Sequence, residues 1–111
     1  MSVNRTDYVI IGTNLINELN DLKEHSINYD EEYDKIIKAL DNQYLDHVYD
    51  GLDGKYFIVG KIIKKCNYDG IPFTEFNFNQ CEKIREIVNE KIKSVFNKDI
   101  NSQLLIFSHW H

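Results

Sequence analysis

The sequence predicts an α+β fold, a two-layer sandwich whose mainly antiparallel sheet is built around a central hairpin or meander, with helices covering one face. Three observations carry that expectation. The segment Asp50-Gly51-Leu52-Asp53-Gly54 places two Asp-Gly pairs between β-prone runs, a strong short-range hairpin signal. Ile84, Ile87, Val88, Ile92 and Val95 recur at helical spacing and define one apolar stripe. Short apolar runs near both ends, Tyr8-Val9-Ile10-Ile11 and Leu104-Leu105-Ile106-Phe107, have the β-branched and aromatic content of strands.

Taken in order, the first run stops at Gly12, and Thr13 or Asn14 is placed to cap a helix carrying Leu15, Ile16, Leu19 and Leu22. After a loop over residues 25–29, Asp30 can cap a second helix with the stripe Tyr33, Ile36, Ile37 and Leu40. Residues 44–49 and 55–66 form the two arms of the hairpin, turning at residues 50–54. A second turn over residues 67–72 holds the single proline, Pro72. Thr74, Phe76 and Phe78 then alternate with Glu75 and Asn77, which predicts a third strand with one buried face. Asn79 and Glu82 have capping-box spacing and open the long helix; Asn97-Lys98-Asp99 closes it. Residues 103–110 make the last strand. The predicted order is β-α-α-β-β-β-α-β, in one domain spanning residues 1–111.

With 42% hydrophobic and 13% aromatic residues, a chain of 111 residues can bury a core of its own. No stretch has the length and apolarity of a membrane span, and Met1-Ser2-Val3-Asn4-Arg5-Thr6-Asp7 lacks the apolar run of a secretory signal, so a cytoplasmic location is expected. Cys66 and Cys81 are too few for a disulfide framework and read as structural thiols. Charge is unevenly divided. Residues 1–54 hold twelve Asp/Glu against four Lys/Arg, whereas the remainder carries a small positive excess. That division argues against direct nucleic-acid binding, which calls for a basic surface.

Phosphate-binding glycine loops, the zinc-protease motif and the serine nucleophile motif are all missing, so no catalytic residue and no cofactor are assigned. His109 and His111 would share one side of a strand and are weak zinc candidates. A strand end in which Trp110 packs on the core explains them as well, and no metal is expected. Asp50 and Asp53 lack the distal bidentate Glu of a calcium loop and fit turn chemistry. The acidic run Asp30, Glu31, Glu32 and Asp34 suits the first turns of a helix, and it also suits a docking face for a basic partner. A second constellation, His47, Tyr49, Asp50, His109 and Trp110, would line a small-ligand pocket if the fold gathered it.

Three segments, Tyr8-Val9-Ile10-Ile11-Gly12-Thr13-Asn14-Leu15, Tyr49-Asp50-Gly51-Leu52-Asp53-Gly54-Lys55-Tyr56-Phe57-Ile58-Val59-Gly60-Lys61 and Leu104-Leu105-Ile106-Phe107-Ser108-His109-Trp110, resemble small phage and prophage proteins of Gram-positive bacteria. The resemblance spans about a quarter of the chain. It implies a setting of infection or lysogeny and brings no catalytic or binding residues with it. The expected function is a non-enzymatic inhibitor or accessory factor that meets a basic surface of a host protein, with a small-ligand binder as the alternative. An unpaired edge strand would also allow a homodimer.

Overall fold

The computed structural model describes residues 4–111; residues 1–3, part of the N-terminal stretch read above, lie outside it. The elements are β1 (Arg5–Asn14), α1 (Ile16–His25), α2 (Tyr29–Asn42), β2 (Asp46–Tyr49), β3 (Phe57–Asn67), α3 (Phe78–Phe96) and β4 (Gln103–Trp110). The four strands form one sheet in the order β2-β3-β1-β4, with every neighbouring pair antiparallel. β1 and β2 therefore run parallel with β3 between them, and β3 and β4 run parallel with β1 between them. This is a split β-α-β arrangement used twice, its first crossover made of two helices.

The predicted sandwich and its hairpin are present. Tyr49 pairs with Phe57 and Asp46 with Gly60, and the chain reverses between them. Both oxygens of Asp50 organise the reversal, accepting backbone N–H groups of Leu52, Asp53 and Lys55 at 3.3, 3.2 and 3.0 Å. Gly54 supplies the left-handed backbone, φ 66°, that the turn requires. The metal-like spacing of Asp50 and Asp53 is thus a device of the turn.

The expected third meander strand does not form. Residues 73–77 run outside the sheet, because the place beside β3 is taken by β1, whose Tyr8, Val9, Ile10 and Ile11 are all buried. A strand apolar on both faces gains more from the sheet centre than one with Glu75 and Asn77 on its second face. The helix start moves accordingly. Asn77, not Asn79, is the N-cap of α3, its side chain accepting the N–H of Gln80 at 3.0 Å. Asn97 ends α3 in the left-handed conformation and donates its N–H to the Lys93 carbonyl.

The other caps shift too. α1 starts after Leu15, and Asn14 accepts the N–H of Ile16 at 3.1 Å and that of Phe57 at 2.9 Å, tying the helix entry to β3. α2 begins at Tyr29, so Asp30 lies in its first turn rather than at its cap.

The core sits between helices and sheet. Leu15, Leu19, Leu40, Leu45, Phe57, Val59, Val88 and Ile92 form its buried centre, with Tyr33, Ile36, Ile37, Ile84 and Val95 packed around it. Ile87, counted with the α3 stripe by its spacing, is 53% exposed instead. It lies at the rim of that stripe, beyond the ridge that meets the sheet. A second apolar cluster, Tyr8, Ile10, Val48 and Ile58 with Tyr56, Ile62, Leu105 and Phe107, occupies the opposite face of the sheet.

Candidate functional site

The α1–α2 layer is where the charge of this chain resides. Residues 16–42 contain eight Asp/Glu and three Lys, a net −5, which is the net charge of the whole chain; all other residues together are neutral. The apolar sides of the two helices, through Leu19, Tyr33 and Leu40, face the core, so the carboxylates point away from it. Some are answered locally: Glu32 meets Lys35 at 3.3 Å, Asp41 lies 3.5 Å from His47, and Glu18 bonds Lys98 of the loop after α3. Asp21, Asp30, Glu31 and Asp34 are exposed and have no cationic side chain within salt-bridge distance among the described residues.

Of the predicted acidic group, Asp30, Glu31 and Asp34 are thus free on the surface, whereas Glu32 is half-buried and paired. Asp21 on α1 was missed from the sequence. It lies on α1, whose Leu19 shares the core with Tyr33 and Leu40 of α2.

The five residues of the ligand constellation are not gathered. Strand register divides them between the two faces of the sheet, since side chains directly opposite each other share a face. His47 and Tyr49 lie on the helix side, where both rings meet Phe57, at 6.4 and 6.3 Å between centroids. Trp110 pairs in register with Arg5 on that side and is 49% exposed, with the Arg5 guanidinium 5.9 Å from its ring centre. The expected packing of Trp110 on the core is therefore absent, because α3 lies over β1 and β3 and stops short of the β4 edge. The buried member of that strand end is His109.

Asp50 and His109 do come together, on the open face, around a residue the sequence reading passed over. The Tyr56 hydroxyl lies 2.6 Å from His109 Nδ1, and the His109 ring stacks on His111 at 5.0 Å. Nε2 of His111 is 2.9 Å from the Thr6 hydroxyl. Burial and then the neighbouring His111 push the His109 pKa down, with Asp50 opposing. Burial first, and then Asp50, push the Tyr56 pKa up. A tyrosine that keeps its proton beside a neutral imidazole donates to it, so the pair satisfies two polar groups on an apolar face. Tyr56 could have been found in the sequence by strand parity, since it stands two residues before Ile58.

Asp50 gives this region a pH dependence. Its three backbone donors, that of Lys55 foremost, hold its pKa below the ordinary carboxylate value. A carboxyl whose folded pKa is depressed adds stability above its unfolded pKa of about 3.9, and that stability drains away as pH falls toward the folded value. Asp50→Asn is therefore expected to lower stability near neutral pH and to flatten the loss of stability in acid. Denaturant midpoints taken from neutral pH to about pH 3 read this directly; parallel curves for the two proteins would contradict it.

Cys66 and Cys81 are free and half-buried. Among the described residues no three His, Cys, Asp or Glu side chains cluster in a way that would hold a metal ion, and no helix is long and apolar enough to cross a membrane. No protein-family model matches the chain, and neither the curated proteins nor the solved structures give a match to it.

Proposed function

We propose that this chain is a non-enzymatic binding protein that docks on a basic surface of a partner protein through the outer face of α1 and α2. The observation that supports this most is the placement of the entire net charge on one helical layer, with Asp21, Asp30, Glu31 and Asp34 unpaired. A net-acidic face on a scaffold whose other charges cancel steers encounter with an oppositely charged surface and disfavours acidic competitors. The resemblance to phage and prophage proteins supplies a setting in which the partner is a host protein and the chain an inhibitor or accessory factor in the host cytoplasm. The small-ligand alternative retains only Asp50 and His109, with Tyr56 between them.

Capture from host lysate tests the reading if wild type is compared with two triple variants. Asp30→Lys/Glu31→Lys/Asp34→Lys is expected to lose the captured protein, while reversal of exposed charges on α3, Lys83→Glu/Glu86→Lys/Glu90→Lys, keeps it. Reversal of Asp30 and Glu31 removes favourable charges from the first turn of α2, so denaturant unfolding of each variant accompanies the capture and confirms that it is folded. Equal capture by all three proteins would overturn the proposal. Loss on Tyr56→Phe, with the acidic-face variant unaffected, would favour the ligand reading.

A further inference from the structure

The two edges of the sheet differ in kind. β2 is four residues long, carries Asp46 and is followed by Asp50 and Asp53. Short length and acidic side chains are common ways to keep an edge from pairing. β4 has neither. It is eight residues long, runs in unbroken register with β1, and is the one strand of the sheet without Asp, Glu, Lys or Arg. No proline or bulge interrupts it.

Of its side chains toward the helix layer, Leu104 borders the first turns of α3, while Ile106, Ser108 and Trp110 continue along the strand away from it. Leu104 is 45%, Ile106 65% and Trp110 49% exposed. The apolar surface continues past Leu104 to Phe76 and to Phe78 at the start of α3, and Phe78 is 91% exposed. The charged pair at that margin, Glu82 and Arg85, is closed on itself at 2.6 Å.

We infer that β4 is a dimerisation edge, pairing antiparallel with β4 of a second copy of this chain to make one continuous eight-stranded sheet. A two-fold interface sets each residue against the same patch of its partner, so any net charge in the patch would meet itself. A chain of net charge −5 meets a copy of itself with least repulsion where it is uncharged, and β4 is such a place. A two-fold axis normal to the sheet keeps the helix side of one copy level with the helix side of the other. Leu104, Ile106 and Trp110 of both copies then become neighbours across the axis, at the spacing where cross-strand apolar pairs stabilise a sheet. The acidic layers remain on the outside, away from the joint. The inference goes beyond the docking face and is tested without any partner protein, so its failure leaves that reading standing.

The test is the mass of the purified chain over a dilution series, by sedimentation or light scattering, for wild type, Ile106→Lys and Leu104→Lys. Wild type is expected at the mass of two chains, and each lysine variant at the mass of one with an unchanged far-ultraviolet spectrum. Amide exchange on wild type gives a reading that needs no variant: β4 amides should be protected in the dimer and should lose protection on dilution. Three results would overturn the inference. One is a monomeric wild type, whether its β4 edge stays open or accepts an extended peptide of another protein. Another is a dimer that both lysine variants keep. The last is a dimer whose β4 amides exchange as a free edge does.

Discussion

Phe57→Ala is expected to destabilise the fold by about 3–5 kcal/mol, the cost of truncating a fully buried aromatic side chain. Phe57 has no exposed surface and opens β3 directly after the turn. Its ring lies within 6.3–6.4 Å of Tyr33 on α2 and of Tyr49 and His47 on β2. Its backbone is engaged as well: the N–H goes to the Asn14 side chain at 2.9 Å, and the carbonyl accepts the Leu15 N–H at 2.7 Å. One residue thus joins the end of β1, the entry to α1, α2 and the hairpin. Denaturant unfolding measures the loss. A change below about 1 kcal/mol would mean that the helices do not close on this face.

Gly60→Ala is the second large effect, expected to cost at least about 3 kcal/mol, the upper end of overpacking penalties. Gly60 of β3 stands opposite Gly12 of β1 where the two central strands approach closely. A Cβ on Gly60 would lie 2.1 Å from the Ile11 carbonyl oxygen and 2.6 Å from the Gly12 Cα; one on Gly12 would lie 2.2 Å from the Val59 carbonyl oxygen. These obstacles are backbone atoms of a hydrogen-bonded ladder and cannot rotate aside. Gly51→Ala is the control, since nothing lies within 4 Å of its added methyl group. Equal stabilities for the two variants would refute the close approach.

The local elements were legible because their signals are local. Two Asp-Gly pairs fix a turn, and the α3 stripe places Val88 and Ile92 in the core. What failed were judgements of competition. Thr74, Phe76 and Phe78 alternate as a strand does, yet a sheet position goes to the segment that buries both faces, and β1 is that segment. The same limit governed the candidate sites. The acidic run at residues 30–34 is visible in one dimension, while which of its members stays free depends on side-chain pairing, Glu32 meeting Lys35. The ligand constellation looked coherent because His47, Tyr49 and Asp50 are close in sequence. Strand parity sends His47 and Tyr49 to one face and Asp50 to the other.

The acidic layer is tested most directly by the association rate of the captured partner as a function of ionic strength. At about 0.1 M salt the Debye length is about 10 Å, so a docking face of unpaired carboxylates should give a wild-type rate that climbs steeply as salt is lowered. For Asp30→Lys/Glu31→Lys/Asp34→Lys the climb should vanish or reverse, the dissociation rate changing far less than the association rate. An association rate with the same salt dependence in both proteins would contradict a docking role for α1 and α2.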